Sequence, residues 1–287
     1  MKPAPFEYHR PASLAETFDL LDRYGDDGRL LAGGQSLVPT LNMRLVTPRA
    51  LIDINRLPGL DAIRAMPEGL SIGALVRQET LEHSPVVREH APLVAAAMPH
   101  VGHTAIRTRG TVGGSLALAD PAAELPACAV ALDATILLTS RHGARDVAAE
   151  QFFRGIYTTA LEPGEIVTEL FIPRAVPAWR SGFEELARRH GDFALAGLAA
   201  RVRVEGGAIV ESRLAFLGVG TRPIRARGAE AVLVGRRADA DALAAAGRAL
   251  DGDLDPPGDV HGSPALRRHL ARVLLSRVVS RLVGDVS

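Results

Sequence analysis

The chain has 287 residues, 47% of them hydrophobic, and reads as a globular protein of two or three compact units. Lysines plus arginines and aspartates plus glutamates each number 33, so no net charge draws it to a nucleic acid or an anionic membrane. The single cysteine, Cys128, excludes an intrachain disulfide, a four-cysteine zinc site and an ordinary cysteine-ligated iron–sulfur cluster; any such centre has to come from another chain.

The opening MKPAPFEYHRPASL interrupts with prolines and charges the apolar run that a secretory signal needs, so a cytoplasmic location is expected. Ser13 and Glu16 have capping-box spacing, Leu14, Phe18 and Leu21 share a helical face, and Gly25 is the expected stop. Next come a predicted strand over 29–32, a sharp turn at Gly33 and Gly34, and a short helix capped by Ser36 that carries Leu37, Leu41 and Leu45. A further strand is expected over 51–54.

The same elements then recur in a new order. A strand in GLSIGAL leads to helical material through PLVAAAM, a glycine-rich segment over 110–127, a helix in AELPACAVAL, and strands in TILLTS and EIVTELFI. Alternating strands and helices predict an α/β or α+β arrangement. The pattern breaks between Pro173 and Pro177, where a domain boundary is placed. Beyond it, FALAGLAARVRVEGGAIVESRLAFLGV holds three strand-like runs with a hairpin turn at Glu205-Gly206-Gly207, predicting a small antiparallel sheet. Helices are expected over 229–234 and 241–250, then a last one opened by Ser263-Pro264 with Leu266, Leu270, Val273, Leu274 and Val278 on one side. Its segment LARVLLSRVVSRLVG is spaced by Arg272, Arg277 and Arg281 and is too short to span a bilayer, so no integral membrane protein is expected.

Two glycine turns look alike: AGGQS over 32–36 and TVGGS over 111–115. Paired glycines let a backbone approach a bulky anion, and successive N–H groups can converge on phosphate oxygens. Ser36, Thr111 and Ser115 add hydroxyls. No Gly-Lys-Ser/Thr follows either turn and neither is a G-x-G-x-x-G opening a βαβ unit, so a P-loop kinase and a Rossmann dehydrogenase are disfavoured. Glycine pairs also make ordinary tight turns, and Asp120 and Glu124, four apart, can simply open a helix or can accept hydrogen bonds from ligand hydroxyls. The residues alone leave both readings open. The nine histidines show no i, i+4 pair of a zinc helix, and no metal is assigned.

AGGQSL, VGHTAIRTRGTVGGSLALADPAAELPA and RRHGDFALA, in this order, resemble the FAD-binding medium subunit of the molybdenum hydroxylases. The likeness is strongest to the medium subunit of aerobic carbon monoxide dehydrogenase and more distant to the flavin domain of xanthine dehydrogenase. It extends through LEPGEIVTELFIP, GVGTRPIRA and HGSPALRRHL, nearly the whole chain.

The resemblance implies an α+β fold of the vanillyl-alcohol oxidase (p-cresol methylhydroxylase) type. Two α/β subdomains, 1–56 and 57–177, would hold FAD between them, followed by a C-terminal domain, 178–287, of a small antiparallel sheet with helices. It also implies that Ala32, Gly33, Gly34, Gln35 and Ser36 form one pyrophosphate-facing loop and Thr111, Val112, Gly113, Gly114 and Ser115 the other. Asp120 and Glu124 would reach the ribityl chain, Phe193 the isoalloxazine, and Ile166 and Val101 the adenine side. Arg107 and Arg109, flanking the second loop, are candidates to offset phosphate charge. Thr108 and Ala105 depart from the family, which often has Asn and Gln there.

By the same resemblance the chain passes electrons from iron–sulfur clusters of a partner through FAD to an external acceptor. The implied partners are a small 2Fe-2S subunit and a large subunit carrying molybdopterin cytosine dinucleotide, as a dimer of heterotrimers. The whole would be cytoplasmic or peripheral at the inner face of the membrane. Two other functions stay open at this point. A free-standing FAD-dependent oxidase or dehydrogenase of the same fold would need its own substrate pocket, for which aromatic residues are few at 4%. A non-catalytic nucleotide-binding or assembly protein would need no flavin.

Overall fold

The computed structural model describes residues 2–174 and 178–284. The boundary placed between Pro173 and Pro177 falls on 175–177, outside the described residues.

The first unit is a three-stranded parallel sheet in which Ala50–Asp53 lies between Glu7–His9 and Gly28–Leu31. The helix Leu14–Tyr24 links the two outer strands. Ser13 Oγ accepts the Glu16 N–H at 3.2 Å, and Gly25 closes the helix at a φ of 49°. Glu16 reaches back to the N–H of Ala12, not of Ser13, at 2.7 Å, so the cap is one residue wider than its sequence signature. The next helix is shorter than expected, Leu37–Asn42, and Leu45 lies beyond it, exposed. Ser36 takes the position before this helix in an αR conformation that makes no side-chain cap, which corrects its expected role and leaves the hydroxyl without a partner among the described residues.

The second unit is a five-stranded antiparallel sheet in the order Ile63–Met66, Gly69–Gly73, Ile166–Pro173, Thr135–Ser140, Gly143–Ala148. The strands 63–66 and 143–148 carried no sequence signal, because their residues are mostly exposed and show no regular alternation of apolar and polar positions. Helix Val112–Leu118 packs on this sheet, while Glu124–Ala131 lies against the C-terminal strands 196–205 and 208–217 and is buried along almost its whole length. All-round burial hides the 3.6-residue period.

The C-terminal sheet has four antiparallel strands in the order Trp179–Leu186, Ala196–Glu205, Ala208–Leu217, Ile224–Arg225. The hairpin turn at Gly206 and Gly207 is as expected, with φ of 57° and 80°. The expected third run is different: FALA precedes the sheet, and the outer strand is Trp179–Leu186, whose Trp, Arg, Ser and Glu residues gave no apolar alternation.

This sheet is buried on both faces. Leu198, Ala200, Val202, Leu214 and Phe216 pack against helices Arg227–Leu233, Ala240–Asp253 and Pro264–Gly284. Ala199, Ala215, Leu217 and Phe183 join the core of the second unit instead. Units two and three therefore share one apolar interior. The last helix buries Arg267, Ala271, Leu274, Leu275, Val278, Val279 and Leu282, and leaves Leu266 exposed, a stripe rotated from the expected one. Arg267 turns inward because its guanidinium donates to the carbonyls of Leu195, at 2.7 Å, and Gly218, at 2.9 Å, and to Asp259 at 2.7 Å.

Candidate functional site

The two glycine turns meet. A Cβ on Gly33 would strike the carbonyl oxygen of Arg109 and lie 2.9 Å from the Cα of Gly110, so only glycine lets the first turn reach the approach to the second. Gly34 sits at a φ of 74°. From Gly33 to Ser36, four successive backbone N–H groups find no acceptor among the described residues. Successive N–H groups around a left-handed glycine form a concavity that attracts anions.

TVGGS is built otherwise. Thr111 caps the helix Val112–Leu118, and its Oγ1 accepts the Gly114 N–H at 3.1 Å. The N–H of Val112 donates to Val76 at 3.0 Å, that of Gly113 to Ala74 at 2.7 Å and that of Ser115 to Thr111 at 3.0 Å. A Cβ on Gly113 would sit 2.6 Å from the Ala74 Cβ, so this glycine serves helix–strand packing. The likeness in sequence hides a difference in kind: the first turn has free donors, the second a closed helix start with Gly114 at the surface.

Behind both turns stands Arg77, which sequence reasoning missed. Its Nη1 donates to the Arg109 carbonyl at 2.6 Å and its Nη2 to Asn55 Oδ1 at 2.7 Å. Asn55 Nδ2 donates to the Ala32 carbonyl at 2.8 Å and to Asp53 Oδ1 at 2.7 Å, while the Tyr8 hydroxyl donates to Asp53 Oδ2. Burial lowers the Arg77 pKa from its ordinary value, with the charge of Arg109 acting the same way. The Asp53 pKa is lowered on balance: burial works the other way, and hydrogen bonds from Tyr8 and Asn55 outweigh it. This chain of polar groups ties the end of the first sheet to the second unit, across residues far apart in sequence that share no motif.

Arg107 is not free to meet phosphate. It is buried, pairs with Glu82 at 2.6 Å and donates to the carbonyls of Val101 and Gly102 at 3.1 Å. Arg109 is exposed, with its carbonyl in the network above.

Asp120 is half-buried; its Oδ1 accepts the Ala122 N–H at 2.9 Å and its Oδ2 faces the Tyr157 hydroxyl at 3.4 Å. Glu124 opens the helix Glu124–Ala131, and burial, then the charges of Glu185 and Asp120, push its pKa up to about 8. At neutral pH it is a neutral acid, able to donate as well as accept. Glu185 lies beside it with its side chain 5% exposed, one oxygen 3.6 Å from His100 Nδ1 and the other without a partner among the described residues.

Phe193 is 73% exposed, so packing into the core does not explain it. Ile166 and Val101 are buried, Ile166 at 2% exposure at the start of its strand.

A free N–H concavity, an acceptor oxygen at Asp120, a neutral acid at Glu124 and an exposed aromatic ring fit the parts of FAD: pyrophosphate, ribityl hydroxyls and a flat ring system. No group of three or more His, Cys, Asp or Glu among the described residues is placed to hold a metal ion.

Comparison with known proteins agrees. Residues 4–175 match the family described as the FAD binding domain in molybdopterin dehydrogenase, and residues 181–282 the CO dehydrogenase flavoprotein C-terminal domain. The chain is 38% identical to the 6-hydroxypseudooxynicotine dehydrogenase complex subunit alpha of Paenarthrobacter nicotinovorans, over 98% of this chain and 95% of that one. It superposes on carbon monoxide dehydrogenase from Hydrogenophaga pseudoflava with a TM-score of 0.96 at 36% identity, over 99% of each chain. It superposes on quinoline 2-oxidoreductase from Pseudomonas putida 86 with a TM-score of 0.94 at 39% identity, again over 99% of each. The chain thus belongs to the FAD-binding medium subunits of the molybdenum hydroxylases, and is of the carbon monoxide dehydrogenase type.

Proposed function

We propose that this chain is the flavin station of a three-subunit molybdenum hydroxylase, working with a small 2Fe-2S subunit and a large molybdopterin cytosine dinucleotide subunit in a dimer of heterotrimers. The observation that carries the flavin site is the run of four free N–H groups from Gly33 to Ser36. Gly33 brings this run against Arg109 and Gly110, and Arg77 holds it there and adds positive charge behind it. The free hydroxyl of Ser36 donates at the rim. Thr111, Val112, Gly113, Gly114 and Ser115 form the opposite wall, whose own N–H groups are already engaged and where the surface-lying Gly114 leaves room for the anion.

Asp120 accepts from ribityl hydroxyls, Glu124 donates or accepts beside it, and Phe193 lies along the isoalloxazine. Ile166 stands behind the adenine side as a fixed apolar wall. When bound, FAD supplies one- and two-electron redox chemistry, which joins single-electron centres of a partner to an external acceptor. The described residues contribute the binding, orientation and electrostatics. The division 1–56, 57–177 and 178–287 follows from this reading, with the flavin between the first two units.

The relatives support a multi-subunit setting: one is named as a subunit of a dehydrogenase complex. Their names cover carbon monoxide, quinoline and 6-hydroxypseudooxynicotine, so the substrate is chosen elsewhere than in this kind of chain. Exposed Val38, Met43 and Leu45 beside the first turn give a partner an apolar surface. No helix among the described residues is long and apolar enough to cross a membrane, and a cytoplasmic location is part of the proposal. Affinity purification from the native host tests it: FAD, iron, acid-labile sulfide and molybdenum are expected with two further chains. Recovery of a flavin-bearing single chain would point to a free-standing oxidase or dehydrogenase.

A further inference from the structure

The short hairpin Phe153–Gly155 and Thr158–Thr159 projects Ile156 and Tyr157 from the second unit. Both are largely exposed, Ile156 at 53% and Tyr157 at 62%, in a chain with few aromatic residues to spare. Tyr157 has a φ of 50°, a left-handed conformation that costs a non-glycine residue about 1 kcal/mol and turns its side chain back toward the body of the protein. There its hydroxyl approaches Asp120 Oδ2, 37 residues away in sequence.

Three further contacts fix where this tip stands. The Arg222 guanidinium donates to the Phe153 carbonyl at 3.1 Å, which anchors the base of the hairpin on the C-terminal unit. The Gly218 N–H donates to the Pro121 carbonyl at 2.8 Å. Gly218 itself is packed so closely on residue 194 that an added Cβ would lie 2.7 Å from the Ala194 carbonyl oxygen. The Asp120-Pro121 turn is therefore contacted by Tyr157 directly and, through Gly218, tied to the chain at Ala194 and Leu195.

At 3.4 Å the tyrosine–carboxylate bond is long for an O–H···O⁻ contact, and Asp120 Oδ2 keeps capacity for a second donor. From this geometry, and resting on the flavin reading above, we propose that Tyr157 is a latch on the cofactor site. It fixes the Asp120 carboxylate for a ligand hydroxyl and places its ring, at the exposed tip of the hairpin, beside that carboxylate. Tyr157 acts on the cofactor partly through Asp120, so it is a positioning residue.

The test measures FAD release from the full chain purified with its partners, followed by the rise in flavin fluorescence after dilution. Tyr157→Phe, which keeps the ring and loses the hydroxyl, is expected to release FAD about five- to tenfold faster. Tyr157→Ala is expected to release it faster still. Asp120→Asn combined with Tyr157→Phe should be much less than multiplicative, because the two groups act through one bond. The thermal midpoint of the FAD-free chain should be unchanged in Tyr157→Phe, which separates a latch from a fold defect. Release at the wild-type rate in both Tyr157→Phe and Tyr157→Ala, or effects that multiply fully with Asp120→Asn, would overturn the proposal while leaving the flavin site intact. Absence of FAD from the wild-type complex would instead remove the flavin reading itself.

Discussion

Asn55 shows how much of the site rests on one side chain with no motif around it. It joins Arg77 to the carbonyl of Ala32, so its loss frees both the first turn and the guanidinium behind it. Asn55→Leu and Arg77→Met are each expected to weaken FAD binding about tenfold, and the double variant little more than either alone, as measured by flavin fluorescence titration of the full chain. Additive losses would show that the two residues do not act as a unit. The glycine turns, Asp120, Glu124 and Phe193 can be proposed from the sequence because they stand in contiguous, distinctive stretches. Arg77 and Asn55 were not, because their partners are backbone carbonyls brought near only by folding. Arg107 was misread for the same reason: nothing in its neighbourhood names Glu82, 25 residues earlier, as its partner.

At the level of single elements, legibility followed exposure. Helices with one wet face and strands with regular apolar positions were visible in the sequence, while edge strands 63–66 and 143–148, mostly exposed and without apolar alternation, were not. The last helix is evident in the sequence, but its buried stripe is rotated by one residue from the expected one, because Arg267 points inward to carbonyl acceptors that no sequence pattern announces. Leu274 lies on the true stripe and is fully buried. Leu274→Ala is expected to destabilise the chain by about 3 kcal/mol and Leu266→Ala by under about 0.5 kcal/mol, measured by urea unfolding. Equal costs would return the stripe to its first assignment. Thr111→Val, which removes the cap of the helix Val112–Leu118 at near-constant size, should cost about 1 kcal/mol.

Across the whole molecule, the C-terminal sheet and the second unit share an interior, and Glu124 with Glu185 lies at that seam. Glu124 has a folded pKa of about 8 against an ordinary 4.5, so the folded chain holds a proton that the unfolded chain gives up. The protonated form favours folding, and this contribution is fully present below about pH 4.5 and is lost as pH rises towards 8. The FAD-free chain should therefore lose stability between pH 5 and 8, at up to about 1.4 kcal/mol per pH unit from this group, and Glu124→Gln should flatten the slope. An unchanged slope in Glu124→Gln would place the titration elsewhere. The central claim is that this fold holds FAD on the concavity of residues 33–36. The measurement that tests it most directly is the released-flavin content of the protein purified with its native partners, wild type beside Gly33→Asp, with circular dichroism as a check on folding. One FAD per chain in the wild type and almost none in a folded Gly33→Asp is the predicted result. A flavin-free wild type, or a Gly33→Asp variant that keeps its full complement of FAD, would contradict it.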